Sequence, residues 1–312
     1  MREREAGDPY EIGPYRVLGR LGAGGMGRVY LGRGPDGLSV AVKVVHESFA
    51  ADPAFRRRFR REVTVAGRLG ADWTVPVLGA DPDAEPPWVA SVFVPGPALD
   101  VAVRRHGPLP VRAVRALGEG LGGALTVMAG LDMVHRDVKP GNVLLTDAGP
   151  RLIDFGIAWA ADLTEGLTHP GLVLGSPGYM APEQVRGQRV TGAADVFALG
   201  AVLGWAAGGR PVFPGEHQAT VLYAIVHEEP DLSGVPEEGG LRELVAACLT
   251  KDPAARPGPA EVVAACAGAL GPSWLPGVVR ADAHRAALDL IAWEAADDAG
   301  RVGPARAAGR CG

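Results

Sequence analysis

The chain has 312 residues, 47% of them hydrophobic and 21% charged, which suits one large bilobed unit or two ordinary domains and excludes a mainly disordered protein. A net charge of -5 and a pI near 5.8 argue against general affinity for nucleic acid or for anionic membrane. The N-terminal MREREAGDPYEIGPY has no apolar core, and the longest apolar stretch, Val196 to Gly209, is too short to span a bilayer, so a cytoplasmic protein without membrane insertion is expected.

After a short charged extension over residues 1–11, residues 15–45 read as strand, glycine turn, strand, turn, strand. Asp52 before Pro53 is a cap signal opening a helix to about Gly70, with an apolar stripe of Phe55, Phe59, Ala66 and Leu69 and with Glu62 on the same face. A carboxylate on a packed face calls for a cation. The arginines of FRRRFRR lie off that stripe and read as a solvated face. From about Pro95 the period turns helical, with Val114, Leu117, Leu121, Leu125, Met128 and Leu131 in one stripe. Val196 to Ala207 is apolar all round and reads as a buried helix with Asp195 at its start. After a GPSWLPG break, Ala281 to Asp297 reads as a helix in a tail of residues 271–312, for which docking and disorder are equally open. Cys248, Cys266 and Cys311 show no metal or disulfide spacing and fit reduced, packed thiols.

The rare residues carry the chemistry. Lysine occurs only at 43, 139 and 251 against 28 arginines, and asparagine only at 142. Where arginine serves for charge in general, a retained lysine or asparagine points to a compact ammonium or a short neutral carbonyl. Gly22, Gly24 and Gly27 spell GxGxxG between two strands, which by itself fits a plain turn. Lys43, in VAVK on the next strand, changes that balance, because a point charge there reaches α and β phosphates. Glu62 is the expected partner of Lys43. In HRDVKPGN, Asp137 can orient and deprotonate a hydroxyl, Lys139 can neutralise a transferring phosphoryl, and Asn142 can offer a neutral oxygen to a magnesium ion. Asp154 of IDFG supplies the second hard oxygen.

These motifs together resemble the eukaryotic-like Ser/Thr protein kinases of bacteria over residues 12–270. The resemblance implies an α+β bilobal kinase fold: a small antiparallel β-rich N-lobe with one key helix (12–94) and a larger helical C-lobe (95–270). It implies ATP as phosphoryl donor, with Mg2+, replaceable by Mn2+, on Asn142 and Asp154. Asp137 would be the catalytic base, and Lys43, Glu62 and Lys139 its catalytic companions. Gly22, Gly24 and Gly27 would cover the phosphates, and Leu21 would join them in binding ATP. Val29, Ala41 and Leu144 match the adenine sandwich, although plain core packing fits these three as well, and Val92 to Val94 match the hinge. Glu183 and Arg256 match a buried pair, Asp195 an anchor of the loop holding His135 and Arg136, and Lys139 with Ser176 the Ser/Thr subclass. Thr168, with Thr164 as runner-up, matches an autophosphorylation position whose phosphate would meet Arg136 and a basic neighbour from the Glu62 helix.

Ser91 falls at the gatekeeper position, usually larger, so bulky adenine-site inhibitors are expected to bind better than to Ser91→Met. Implied partners are proteins bearing Ser or Thr, with a transient homodimer for autophosphorylation. The alternatives are a pseudokinase scaffold, whose mark would be a missing Lys, Asp or Asn, and a small-molecule phosphotransferase, which usually lacks the GSPGYMAPE loop.

Overall fold

The computed structural model describes residues 1–24, 27–70, 72–154 and 177–302. Its N-terminal part is an antiparallel sheet of β1 (Glu11–Ile12), β2 (Tyr15–Gly24), β3 (Gly27–Arg33), β4 (Ser39–Val45), β5 (Val77–Asp81) and β6 (Trp88–Val92), in the order β1-β2-β3-β4-β6-β5. In β4 the two-residue period decides which groups face the cleft. Val40 and Val42 are fully buried, whereas Ala41 and Lys43 on the opposite face stay partly open. Ser91 stands opposite Ala41 in the β4–β6 register.

The charged N-terminal extension is packed against the sheet. Arg2 exchanges backbone hydrogen bonds with Arg20, and the buried Asp8 accepts from Arg20 and from the Tyr30 hydroxyl at 2.9 Å. Those donors hold the Asp8 carboxyl down at about 2 although burial pushes it the other way.

Between β4 and β5 lie a short α1 (Glu47–Ala50) and α2 (Pro53–Ala66), whose first turn is capped by Asp52 accepting from the Ala54 amide at 2.8 Å. Phe55, Phe59, Ala66 and Leu69 are buried. The arginine face of α2 is less free than a solvated face: Arg56 donates to the carbonyls of Ala50, Pro82 and Ala84, and Arg60 pairs with Asp83. The loop before β6 supplies acceptors that charge patterning cannot reveal.

The helical part comprises α3 (Leu99–His106), α4 (Val111–Ala129), the hairpin β7 (Val143–Thr146) and β8 (Gly149–Leu152), then α5 (Pro182–Val185), α6 (Gly192–Gly208), α7 (Gln218–His227), α8 (Leu241–Cys248), α9 (Pro259–Cys266) and α10 (Gly277–Val302). The α4 stripe of Val114, Leu117, Leu121, Leu125 and Met128 is buried, while Leu131 lies beyond the helix end and is half-buried. Helix α6 is buried from Ala194 to Ala207, at roughly 1.5–3 kcal/mol for each large apolar side chain removed from water. Cys248 and Cys266 are free and buried, and α10 runs past both ends of the 281–297 stretch expected from sequence. Among the described residues no helix is long and apolar enough to cross a membrane.

The lobes meet at a short connection. Phe93 donates its backbone amide to Ser39 on β4, and Leu145 on β7 donates to Pro97. The Val92–Pro97 stretch is thus tied to the roof strand on one side and the floor strand on the other.

Candidate active site

The loop between α4 and β7 is fixed by buried polar groups. Asp195, in the first turn of α6, accepts the backbone amides of His135 and Arg136, each at 2.7 Å. Burial pushes its carboxyl up to about 7 against the pull of those two donors. His135 is fully buried, its Nε2 is 3.2 Å from the Ile153 carbonyl oxygen, and burial drives its imidazole down to about 4, so it is neutral at physiological pH. Arg136 (φ 65) and Asp154 (φ 57) both occupy the left-handed region, which holds strain of roughly 1–3 kcal/mol per residue. At Arg136 the backbone amide is held in place by its bond to Asp195.

This anchoring brings three of the expected groups together. Lys139 Nζ donates to Asp137 Oδ2 at 2.7 Å, and Asn142 Nδ2 donates to the same oxygen at 3.0 Å and to the Asp137 carbonyl at 2.9 Å. Asn142 is buried at the foot of β7, its amide nitrogen turned to Asp137. Its carbonyl oxygen and the Asp154 carboxylate are the hard neutral and anionic donors that suit magnesium.

On the roof, Lys43 Nζ lies 3.2 Å from Asp154 Oδ2, linking the lobes. The structure differs here from the expected Lys43–Glu62 pair. Glu62 Oε2 is buried and has no hydrogen-bond partner among the described residues. Lys43 is taken up by Asp154, and Glu62 stands instead in the field of Arg136, Arg58 and Arg61. Burial nonetheless pushes it up to about 7. Arg58, four residues before Glu62 on α2, is a neighbour that helical spacing could have revealed. Nε of Arg136 and Nε of Arg58 are likewise buried without partners among the described residues.

The three glycines differ from one another. A Cβ on Gly27 (φ +157) would lie 1.9 Å from the Val44 carbonyl oxygen, so protein packing alone demands glycine there. At Gly22 and Gly24 a Cβ would meet no atom of the described residues within 4 Å apart from its own chain neighbours. Their exposed backbone therefore borders open space, a cradle fitting phosphate oxygens on amide donors. Leu21, Val29, Ala41 and Leu144 are all half-buried, and Leu144 is bridged to Ala98 just after the hinge.

Further out, Arg256 makes a two-pronged bond to Glu183 at 2.7 and 2.8 Å, both side chains buried, and also donates to the Ala193 and Thr250 carbonyls. Gln184, beside Glu183, accepts from the Ala181 amide and reaches the Arg136 carbonyl at 3.4 Å. It joins this element to the loop and was not among the residues read from sequence; its buried amide beside the ion pair is the missed signal. Lys251, the third lysine, donates to the Ile225 carbonyl at the end of α7 and lies over the Phe213 ring. Thr164, Thr168 and Ser176 lie outside the described residues.

An Asp–Lys–Asn loop under a lysine carried by a glycine-turned sheet defines the class of two-lobed phosphotransferases. Residues 15–266 match the protein kinase domain model, and the chain belongs to that family. It is 47% identical over 258 residues to the serine/threonine-protein kinase AfsK of Streptomyces coelicolor, covering 82% of this chain and 32% of that protein. It is 34% identical over 256 residues to the serine/threonine-protein kinase PknA of Mycobacterium tuberculosis, covering 78% of this chain and 58% of that one. The crystal structure of the Mycobacterium tuberculosis PknI kinase domain superposes with a TM-score of 0.66 at 30% identity, over 85% of this chain and 99% of that chain. Rad53, solved in complex with AMP-PNP, shares the fold at 22% identity and a TM-score of 0.66, over 84% of this chain and 66% of that chain. The chain spans about a third of the length of the first curated relatives it matches.

Proposed function

We propose that the chain transfers the γ-phosphoryl group of ATP to Ser or Thr hydroxyls of proteins, itself included. The observation that carries this reading is the convergence of Lys139 and Asn142 on one oxygen of Asp137, with Lys43 and Asp154 in contact across the cleft. Asp137 orients the substrate hydroxyl and takes its proton as the new P–O bond forms and the bond to the departing ADP breaks. Lys139, already held at Asp137, lies where it can neutralise charge on the moving phosphoryl. Lys43 steadies the remaining phosphates, and the Gly22 and Gly24 amides cover them. Asn142 and Asp154 would hold Mg2+, with Mn2+ able to replace it, and the bound ion supplies positive charge that offsets the phosphate oxygens. Val29, Ala41 and Leu144 enclose the adenine.

We place this activity in the cytoplasm, in keeping with two buried free thiols. Phosphate on Thr168, with Thr164 as runner-up and Ser176 as a further candidate, would draw on the nitrogens of Arg136 and Arg58 that have no partner among the described residues. A transient homodimer would deliver it. The complete set of Lys43, Asp137, Asn142 and Asp154 favours catalysis over a scaffold role.

The test incubates purified protein with labelled ATP and Mg2+ beside Asp137→Asn, followed by phosphosite mapping. Label on Thr164, Thr168 or Ser176 in the wild type alone is expected. ATP binding without label in either protein would overturn the reading.

A further inference from the structure

Helix α10 lies beyond the family match, which ends at residue 266, yet it touches both lobes. With 26 residues at 1.5 Å rise, it is a rod of about 39 Å. Its lower half is seated on the helical lobe. Val279 and Ala283 are buried, and Asp282 meets His106 at 2.7 Å and Arg105 at 3.3 Å on α3. His284 and Arg280 pair with Asp147 in the β7–β8 turn. Trp274, just before the helix, donates its indole N–H to the Thr146 carbonyl, the last residue of β7, at 2.9 Å.

The upper half lies on the sheet. Trp293 packs so closely on Gly19 that a Cβ there would stand 2.9 Å from the ring and 2.6 Å from the Arg2 carbonyl oxygen. The Ser39 hydroxyl donates to Glu294 Oε1 at 2.6 Å, Arg16 pairs with Asp297, and Arg33 reaches Asp298 at 3.5 Å. Ser39 opens β4, the strand of Ala41 and Lys43, and its carbonyl accepts the Phe93 amide of the hinge. The lower contacts hold β7, the strand of Leu144, which is bonded to the hinge through Pro97.

One helix is thus fastened to both the roof strand and the floor strand of the cleft. We propose that α10 is a strap across the two lobes that sets how roof and floor meet around ATP, with Trp293 and Glu294 at its upper end and Asp282 and His284 at its lower end as positioning residues. This rests on reading the cleft as the ATP site. A rigid tie at both ends limits rotation about the Val92–Pro97 connection, so the binding-competent spacing is populated before ATP arrives. Releasing either end lets the lobes wander, and affinity falls by the fraction of time the competent spacing is lost. A strap fails when one end fails, so loss of the second adds nothing. A helix that merely stabilises one lobe behaves differently, since its two halves act independently.

The experiment compares the full chain with an upper release, Trp293→Ala/Glu294→Ala, a lower release, Val279→Ser/Asp282→Ala/His284→Ala, and both together. Leu288→Pro, at an exposed position between the anchors, breaks the rod if the lower release misfolds. The readouts are Kd for ATP with Mg2+, KM and kcat, and hydrogen exchange at the Phe93 and Leu145 amides. The strap requires that each release raise Kd and KM by about threefold to tenfold with kcat at saturating ATP little changed, that both amides exchange faster, and that the combined variant be no worse than either. Wild-type Kd in the lower release and in Leu288→Pro, or effects that multiply on combination, overturn it. If the wild type binds no ATP, the phosphotransfer reading falls, and the exchange rates of the two amides still decide the strap.

Discussion

The floor and the roof of the cleft hold their charged groups in different ways. On the floor, Lys139 and Asn142 lie within a few residues of Asp137 and both bond to it, and their loop hangs from Asp195 by two short bonds. On the roof, Lys43 rides on a strand while Glu62 rides on a separate helix docked by an apolar stripe, and Glu62 Oε2 has no hydrogen-bond partner among the described residues. Directional bonds over-determine the floor. Non-directional packing docks α2 without fixing a partner for Glu62, and Lys43 meets Asp154.

The largest effect is expected on the floor. Asp137→Asn removes the proposed proton acceptor but keeps a side chain able to bond Lys139, so phosphotransfer should drop by about 100-fold to 10,000-fold with little change in Tm. Steady-state kinetics beside a melting curve checks this. A comparable loss of Tm would mean that Asp137 serves chiefly as structure.

Next comes the scaffold under the floor. Arg256→Met leaves Glu183 buried and uncompensated and should cost about 3–5 kcal/mol in denaturant unfolding. Replacing both, Arg256→Met with Glu183→Leu, should recover most of that, because the penalty lies in the orphaned charge. No recovery in the double variant would show that the Arg256 bonds to the Ala193 and Thr250 carbonyls matter more than the ion pair.

The roof should betray its unpaired carboxylate through pH. Burial raises Glu62 from an ordinary value of 4.5 to about 7, so between these values the folded chain holds a proton that the unfolded chain has released. Its contribution to stability is fully present below pH 4.5 and is lost as pH rises through 7, by at most about 3 kcal/mol, less whatever solvent screens at a half-buried site. Glu62→Gln carries no such proton. The variant should therefore gain on the wild type as pH rises from 4.5 to above 7 in parallel urea titrations. A constant difference across that range would mean that Glu62 finds a cation in solution.

The sequence made the floor legible for the same reason that the floor is rigid. Asp137, Lys139 and Asn142 are local, and the chain's lone asparagine marks the spot. The β4 alternation, the Asp52 cap and the wholly apolar α6 were equally local signals. Beyond the Glu183–Arg256 pair and the Asp195 anchor, which the family resemblance gave, sequence could not decide pairings between distant segments. Lys43 choosing Asp154 over Glu62, Arg56 reaching the Pro82 and Ala84 carbonyls, and Ser39 meeting Glu294 all depend on how elements dock, and no spacing along the chain encodes that. The tail was legible as a helix but not as a docked one, since its anchors at Gly19, Asp147 and His106 are scattered through the chain.

The smallest effect sharpens the comparison most within the roof itself. GxGxxG reads as one motif, yet its glycines answer to different constraints. Gly27→Ala would force a methyl to within 1.9 Å of the Val44 carbonyl oxygen in a backbone region that L-residues rarely adopt, so it should destabilise the fold outright, by more than about 1 kcal/mol. Gly24→Ala meets no atom of the described residues beyond its chain neighbours and should shift stability by no more than about 0.5 kcal/mol. If phosphate oxygens occupy that open space, the same methyl should still raise KM for ATP severalfold. Loss of ATP affinity without loss of stability at Gly24, against loss of stability at Gly27, would separate the glycine kept for the ligand from the one kept for the fold. Unchanged KM in Gly24→Ala would place the phosphates elsewhere along the β2–β3 turn.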